Sequence, residues 1–468
     1  MRHDPSLELA DCRALSDAAL ERARQLGGGV SVAVVDGGGQ LLLALRLDDA
    51  SPVSAEAALA KGRLAALSGK ASASFEDAIN RNRPALAQLT TAISQPAAAM
   101  AGGLPLMVAG RCIGAIGVSG RTPSEDGAIA TAGVAAFEER CRALDRPRIL
   151  SFGFTCRDAG ASASFLQNQL GFQLVGEQRF GPGAYGALLG LPQAQLRRIE
   201  LSLGDERLEL LEVEDPGPGQ PAGRPLPAGS RSCDLWFQHL CLVVSDIAQA
   251  TAGVEALIRD GSLEAISDGP QRLPDDNPTA GGILAFKFRD PDGHALELLQ
   301  FPPDKGDSHW RARAASGRLL LGIDHSAIAI SDAAVSGCFY GELLGLTVRP
   351  PGLNSGREQD RLDGLSDTTV AINPYRCRQG PGLEGLAYRT PNLGRSLPDV
   401  QRTQDLSHWH TRMAISDLDG VLERLLVHGG RIASEPVTLD AETTALLGFR
   451  RGAGVLDPDG HHLQLVEA

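Results

Sequence analysis

The chain has few of the features that mark membrane, secreted or nucleic-acid-binding proteins. Its 468 residues contain no run of eighteen apolar residues, and MRHDPSLELADC at the start lacks the apolar stretch of a signal peptide. Lys and Arg number 44 against 57 Asp and Glu, and the net charge of −13 argues against nucleic acid and anionic membranes as partners. The eight cysteines form no CxxC pair, so neither a zinc ribbon nor a disulfide framework is predicted. We therefore expect a cytoplasmic protein.

The remaining composition predicts a globular protein of several domains. Apolar residues make up 43% of the chain, and 468 residues exceed what one core supports. The predicted domains span 1–145, 147–305 and 318–468, with FPPDKGDSHWRARAASGR (301–318) as a linker. Strand-like and helix-like stretches alternate in all three, which predicts the α+β class.

One pattern recurs four times after residue 147. His239, His325 and His410 lie 86 and 85 residues apart, and a step of 88 residues back from His239 reaches Ser151. Each lies on a β-rich stretch, seven residues before an aspartate that opens a helix-like run. This interval defines four repeats, numbered 1 to 4 along the chain, each with a strand, a helix and a strand meander.

Ser151, His239, His325 and His410 form a first column, with one residue on the first strand of each repeat. A second column of polar residues lies on the last strand of each repeat. It consists of Glu209, Glu297, Glu384 and Gln464, at offsets of 58, 58, 59 and 54 residues from the first column. A single histidine on an apolar strand is usually a packed core residue. Three in register, each followed by an oxygen donor, indicate metal ligands.

Similarity between the repeats predicts how they pair. Repeats 2 and 4 share a prelude, DLWFQH and DLSHWH, and an ending, DPDGHALEL and DPDGHHLQL. Repeats 1 and 3 share a Leu-Gly pair at the end of their helix. From this alternation we predict that repeats 1 and 2 form one paired domain and repeats 3 and 4 the other.

The βαβββ repeat with its two ligand columns resembles the vicinal oxygen chelate superfamily, which includes glyoxalase I, extradiol dioxygenases and bleomycin-binding proteins. The resemblance covers about 147–468, and the DPDG-x-x-LEL ending is its most specific part. It implies that two repeats form a cup-shaped sheet whose first and last strands direct ligands inward. Such ligands hold a divalent metal, Fe, Mn, Ni, Zn or Mg, with positions open for a small-molecule substrate.

The resemblance and the predicted pairing together imply one metal cup in each paired domain. Residues 318–468 offer the fuller ligand set, and residues 147–305 offer three good donors with Ser151 as a poor fourth. The two sets are His325, Glu384, His410 and Gln464, and Glu209, His239 and Glu297. Glu384 is the expected catalytic, proton-moving group by analogy with glyoxalase I.

Three other histidines lie near the expected ligands of repeat 4. His408 shares the strand face of His410, two residues away, and is a candidate for contact with substrate. His461 and His462 are expected to be solvated, in the tight turn before the last strand.

Three functions compete. The first is a metal-dependent enzyme of glyoxalase, lyase or isomerase type, in which the metal polarises a carbonyl and a carboxylate moves a proton. The second is an Fe(II)-dependent ring-cleaving dioxygenase, whose triad in the family is two first-strand histidines and the last-strand Glu of the even repeat. Residues 147–305 lack the histidine of the odd repeat, and residues 318–468 lack that Glu, which counts against this function. The third is a metal-free binding or resistance protein, which Ser151 and Gln464 suggest because both are weaker ligands. We favour the first.

The first domain resembles a different family, the GlcG/HbpS-like, haem-binding-protein-like domains. The resemblance is carried by VSVAVVDGGGQLLLALRLDDA (30–50), AALAKGRLAA (57–66) and GGLPLMVAGRCIGAIGVSG (102–120), of which the first and last predict hairpins. It implies a homo-oligomer and invites haem as a ligand. The residues give haem little support, because His3 is the domain's only histidine. The other soft donors are Met100, Met107, Cys12 and Cys112.

Overall fold

The computed structural model divides the chain into two bodies, Met1–Leu144 and Asp145–Ala468. It describes residues 6–92, 95–108, 110–144, 147–377, 380–391, 394–396 and 401–467. Both bodies combine helices with sheets, which confirms the predicted α+β class. Within these described ranges no helix is long and apolar enough to cross a membrane.

The N-terminal body is a four-stranded sheet with helices packed on it. Its helices are α1 (Leu9–Gln25), α2 (Val53–Ser68), α3 (Ser72–Arg81), a 3₁₀ turn (Pro84–Gln88), α4 (Leu89–Ala92) and α5 (Pro123–Leu144). Its strands are β1 (Ser31–Asp36), β2 (Leu41–Arg46), β3 (Gly103–Val108) and β4 (Arg111–Ser119), in the order β2-β1-β4-β3. Both predicted hairpins are present, and both are antiparallel. Helix α2 lies so close to β4 that a Cβ at Gly117 would collide with the carbonyl oxygen of Ala58.

A buried ion pair joins α2 to α5 in this body. Lys61 Nζ lies 2.8 Å from Asp126 Oδ2, and the two side chains are 4% and 2% exposed. Lys61 also donates to the carbonyl oxygen of Val118, and Asp126 accepts from the backbone N–H of Arg121. The pair therefore has its hydrogen-bonding capacity largely filled without water, as a buried charge requires.

Lys61→Ala is expected to destabilise the N-terminal body by about 3 kcal/mol, because it leaves the buried carboxylate of Asp126 without its cation. Urea unfolding of the full chain, monitored by hydrogen exchange of the amides of the N-terminal body, measures this loss of stability. Lys70→Ala is the matched control, since Lys70 is exposed. Equal stabilities for the two variants would contradict the role assigned to the pair.

The C-terminal body contains the four repeats, each opening with a strand and a helix. Repeat 1 comprises β5 (Arg148–Thr155), α6 (Ala159–Leu170), β6 (Gln173–Phe180), α7 (Ala184–Leu188), β7 (Gln195–Leu203) and β8 (Glu206–Asp215). Repeat 2 comprises β9 (Gln238–Val244), α8 (Ile247–Arg259), β10 (Glu264–Ala265), β11 (Gln271–Arg272), β12 (Leu284–Arg289) and β13 (Ala295–Gln300). The predicted linker contains α9 (Ser308–Ala315).

Repeats 3 and 4 follow the same plan with short extra helices. Repeat 3 comprises β14 (Leu320–Ala329), α10 (Ala333–Gly337) continued by a π-helical turn (Cys338–Leu343), β15 (Thr347–Val348), β16 (Gly352–Ser355), α11 (Arg357–Asp363), β17 (Thr369–Arg376) and β18 (Gly382–Thr390). Repeat 4 comprises β19 (Trp409–Ala414), α12 (Leu418–Leu425), a 3₁₀ turn (Leu426–His428), β20 (Arg431–Thr438), α13 (Ala441–Leu447), β21 (Arg451–Leu456) and β22 (His462–Glu467).

The aspartate after each first strand caps the following helix. Its side chain accepts a hydrogen bond from a backbone N–H of the first turn, which satisfies a donor that the helix itself cannot. The four caps are Asp158, Asp246, Asp332 and Asp417. The spacing from ligand column to helix start is therefore a true structural repeat.

The repeats pair differently from the prediction. Strand β9 of repeat 2 lies antiparallel to β14 of repeat 3, and β5 of repeat 1 lies antiparallel to β19 of repeat 4. One sheet has the order β10-β12-β13-β9-β14-β18-β17-β15 and the other β20-β21-β22-β19-β5-β8-β7-β6. The prediction that repeats 1 and 2 (147–305) share one cup, and repeats 3 and 4 (318–468) another, is wrong. Both arrangements join an odd repeat to an even one, so similarity between repeats could not distinguish them.

Strand alternation separates the cup faces from a shared core. Phe152 and Phe154 on β5, like Leu240 and Leu242 on β9, are fully buried in one apolar cluster that draws on both sheets. Residues between them in sequence point to the opposite face, where the ligand columns lie. We call the cup of repeats 2 and 3 cup A, and that of repeats 1 and 4 cup B.

Candidate metal centre

The two ligand columns occupy equivalent positions in all four repeats. In each parallel pair of first and last strands, the last-strand residue lies opposite the position two residues after the first-strand column. These pairs are Glu209 with Gly153, Glu297 with Cys241, Glu384 with Ala327, and Gln464 with Arg412. The two columns read from the sequence therefore correspond to one strand register, repeated four times.

Cup A brings together two histidines and two glutamates. His239 Nε2 lies 3.2 Å from Glu297 Oε2, and His325 Nε2 lies 4.0 Å from the same oxygen. Glu384 Oε2 lies 3.4 Å from His325 Nε2. The donor atoms of His239, Glu297 and His325 lie within 4.8 Å of one another. Three metal-binding groups thus form one cluster, and Glu384 lies beside it, next to His325.

A layer of ion pairs fixes the orientation of these groups. Asp324 Oδ2 lies 2.9 Å from His325 Nδ1, which leaves Nε2 facing the glutamates. Arg376 donates at 3.1 Å both to Asp324 and to Glu384 Oε1. Lys287 Nζ lies 3.9 Å from Glu297 Oε1 and 2.7 Å from Asp363.

These neighbours shift the pKa values of the cup A groups. Burial alone would raise the pKa of Glu297, but Lys287 and His239 outweigh it and lower this pKa to about 2. Burial lowers the pKa of His239, which favours the neutral imidazole that binds metals. Burial also acts to lower the pKa of His325, but Glu384 and Asp324 raise it overall.

The charge of cup A suits a divalent cation. Among the described residues, the charged side chains lining its cavity of about 230 Å³ are four carboxylates and two cations, Glu297, Asp324, Asp363, Glu384, Lys287 and Arg376. Their formal sum is −2, which one divalent ion would neutralise. Both ring nitrogens of His239 are buried and without a hydrogen bond in the described structure. A mixed set of imidazole nitrogens and carboxylate oxygens fits Fe, Mn, Ni or Zn better than Mg.

Cup B places an arginine among the corresponding positions. Arg412 donates to Gln464 Oε1 from Nε and Nη2, at 3.0 and 2.8 Å, and to Glu209 Oε1 from Nη1. Glu209 also accepts from Arg198 Nε at 2.8 Å and from Ser151 Oγ. The two arginines hold the pKa of Glu209 far below its usual range, although burial opposes them.

Cup B is therefore a poor metal site. Its one column carboxylate is neutralised by guanidinium groups, and His410 Nε2 lies 3.9 Å from the nearer oxygen of Glu209. The register position of Arg412 is held by Cys241 in cup A, a side chain too short to reach across. The guanidinium of Arg412 thus lies where the resemblance predicts a bound metal ion.

The predicted ligand sets are accordingly regrouped. His325 and Glu384 lie in cup A, while His410 and Gln464 lie in cup B, so the quartet predicted for residues 318–468 does not assemble. The set predicted for residues 147–305 is divided in the same way, with Glu209 in cup B and His239 and Glu297 in cup A.

Two further expectations about histidines are corrected by cup B. His461 is buried, with Nε2 2.8 Å from the carbonyl oxygen of Ala329, and His462 lines the cup B cavity. Neither is a solvated turn residue. His408 does lie beside His410, with ring centroids 5.6 Å apart.

The sequence reading missed Lys287, Asp324 and Arg376. Asp324 directly precedes His325, and a carboxylate next to a metal histidine is a recognisable signal. Lys287 and Arg376 lie on neighbouring strands, and nothing in their local sequence marks them.

The haem donors predicted for the N-terminal body differ in their burial and contacts. Cys12 is buried in the core, and burial raises the pKa of its thiol. Met100 and Met107 are exposed, and Cys112 donates to backbone carbonyl oxygens. His3 lies outside the described residues.

The C-terminal body has four βαβββ repeats with the ligand columns on their inner strands, so its fold is like that of vicinal oxygen chelate proteins. A family model described as the glyoxalase/bleomycin resistance protein/dioxygenase superfamily matches residues 148–298. One described as haem degrading protein HbpS-like matches residues 7–135. The chain therefore belongs to the GlcG family through its N-terminal body, and its C-terminal body matches the glyoxalase superfamily model over residues 148–298.

Individual relatives cover one body or the other. Protein GlcG of Escherichia coli K12 is 38% identical over 108 residues, which are 23% of this chain and 75% of that protein. The structure of a PduOC–haem complex is 32% identical, covers 28% of this chain and 95% of its own, and gives a TM-score of 0.27. Glyoxalase I from Zea mays is 14% identical, covers 69% of this chain and 92% of its own, and gives a TM-score of 0.43.

Proposed function

We propose that cup A is the active site of a metal-dependent enzyme of glyoxalase, lyase or isomerase type. The cluster of His239, Glu297 and His325, with Glu384 3.4 Å from His325, carries this proposal. When bound, the cation supplies Lewis-acid polarisation of a substrate carbonyl. The substrate is a small, oxygen-rich organic molecule, because the polar groups of the cavity converge on one point.

In this proposal Glu384 moves the proton. Arg376 holds its Oε1, so Oε2 is the oxygen available on the cavity side. Glu297 is unsuited to the same task, because Lys287 and His239 keep it ionised. The two glutamates therefore divide the work, Glu297 as a permanent carboxylate and Glu384 as base and then acid.

Apolar side chains form the rest of the cavity wall. Leu273, Leu299 and Leu386 line it together with the ligand residues. They would exclude water from a carbanion-like transition state and strengthen its attraction to the nearby cations.

A second candidate, ring-cleaving dioxygenase chemistry, gains support from the corrected pairing. His239, His325 and Glu297 are two first-strand histidines and one last-strand carboxylate from an even repeat. This is the arrangement that the predicted pairing lacked, and it is typical of non-haem iron oxygenases. The presence of Glu384 as a fourth donor favours the proton-transfer enzyme over this candidate.

An activity panel distinguishes the two candidates. The full chain, loaded in turn with each divalent metal, is assayed with α-oxoaldehyde–thiol adducts and enolisable acids, and with catechols and hydroquinones in an oxygen electrode. Proton transfer without oxygen uptake is the expected result. Oxygen uptake matched to a catechol would overturn it in favour of the dioxygenase. Silence across the panel would reject both in favour of a binding protein.

Asp324→Asn is expected to weaken metal binding by about 10–100-fold, because the carboxylate that orients His325 is lost. Competition with a chromophoric chelator measures the affinity. Asp290→Asn is the matched control, since Asp290 forms the same 2.9 Å contact with His294 Nδ1 outside cup A. Equal affinities in the two variants would remove Asp324 from this role.

A further inference from the structure

Cup B contains a second cavity with unusual walls. The cavity measures about 270 Å³ and lies between strands of repeat 4 and the segment that ends α7. Its lining includes Leu188, Leu191 and Leu456 together with His408, His410, His462 and Gln464. The cavity therefore combines apolar and polar lining residues.

The polar lining residues of this cavity carry donors and acceptors that the described chain does not use. Both ring nitrogens of His408 and of His410, together with His462 Nε2 and Gln464 Nε2, are buried without a hydrogen-bond partner among the described residues. His408, His410 and Gln464 are 2%, 1% and 3% exposed. Unpaired buried polar atoms are costly, so several of them on residues that line one cavity indicate a ligand.

Arg412 orients the side-chain amide of Gln464. Gln464 Oε1 accepts two hydrogen bonds from Arg412, so the amide NH₂ is the end left for the cavity. In cup B the guanidinium of Arg412 thus orients the NH₂ donor of Gln464.

The charges around the cavity are matched within the protein. Arg412 and Arg198 are paired with Glu209, and Arg198 also with Glu200. Arg402, the charged residue that lines the cavity in the described chain, is paired at 2.9 Å with Asp405, which Arg224 also contacts at 2.7 Å. Burial lowers the pKa of His410 to about 3 and that of His462 to about 4, so these rings are neutral at pH 7. Neither an anion nor a cation would find an unpaired counter-charge here.

We propose that cup B is a metal-independent binding site for a small uncharged hydroxy compound, such as a short polyol or hydroxyamide. Neutral imidazoles each offer one donor and one acceptor, and the amide offers donors, which together match hydroxyl and amide groups. The leucines that line the cavity contact the carbon skeleton of the same molecule. The site is independent of the chemistry proposed for cup A.

The imidazole nitrogens themselves report the test. The full chain, labelled with ¹⁵N-histidine, is titrated with glycerol, lactamide and lactate, the last two being a neutral and an anionic form of one skeleton. Saturable shifts of His408, His410 and His462 are expected with glycerol and lactamide, at concentrations at least about tenfold below those needed with lactate. His294 is the internal control, because it is buried with both nitrogens already in contact with Asp290 and Leu406.

Substitution then locates the site. His408→Phe keeps a ring of similar size but removes both nitrogens, and one lost hydrogen bond should weaken lactamide binding about tenfold. His462→Phe provides the second variant if the first fails to fold. The proposal is overturned if neither neutral probe moves these resonances, if lactate binds equally well, or if the variants bind lactamide unchanged.

Discussion

His239→Ala is expected to remove the metal from the chain, and His410→Ala to leave it at one ion per chain. Loss of a direct ligand should weaken binding by more than the roughly 100-fold limit of changes around the ligands. His239 belongs to the cluster with Glu297 and His325, whereas His410 lies beside a glutamate already paired with two arginines. Elemental analysis after gel filtration, with chelator competition, measures both effects.

The two histidines are matched controls for each other, because they occupy the same column in even repeats. Metal retained in His239→Ala and lost from His410→Ala would place the centre in cup B and reject the assignment. Two ions per chain in the parent protein would show that Arg412 does not prevent metal binding there.

Glu384→Gln is expected to lower turnover by about 10²–10⁴-fold while retaining the fold and most of the metal. The amide keeps an oxygen donor but cannot carry the proton. Turnover is measured on whichever substrate of the panel the parent protein converts, together with metal content. In a dioxygenase that uses only His239, His325 and Glu297, the same change should have a much smaller effect.

The control for this variant is an exposed glutamate of the same repeat. Glu342 is exposed on the π-helical turn, so Glu342→Gln tests the same chemical change away from cup A. Parent-level turnover in Glu384→Gln would clear that residue of the proton-transfer role. Loss of metal together with turnover would instead make it chiefly a ligand.

The repeats and their internal geometry could be predicted from the sequence because they depend on local physics. The aspartate caps, the strand alternation and the separation of the two columns all act within one repeat. The common register of Glu209, Glu297, Glu384 and Gln464 follows from them.

The partnership between repeats could not be predicted in the same way. The contact between β9 and β14, or between β5 and β19, is made by backbone hydrogen bonds that any first strand could form. A ligand set predicted for the wrong pair of repeats combines residues from two different cups. For this reason the predicted set places His325 with His410.

The failure of cup B as a metal site was partly visible in the sequence. Arg412 follows His410 by two residues, so its side chain had to point into the same cup. That its guanidinium reaches both Gln464 and Glu209 depends on the pairing of β19 with β5, which brings repeats 1 and 4 into one sheet. Asp363, which fixes Lys287, comes from the end of α11 and carries no motif.

The nesting of the repeats, with 2 and 3 inside 1 and 4, has a consequence for synthesis on the ribosome. The inner cup can close as soon as repeat 3 has emerged, because its two central strands are successive repeats. The outer sheet must wait for the last repeat, and until then β5 exposes the edge that β19 will cover. An uncovered edge of this kind is a template for pairing between chains. A premature stop codon within repeat 4 would therefore leave β5, the first strand of the C-terminal body, uncovered and yield a protein prone to aggregate through it.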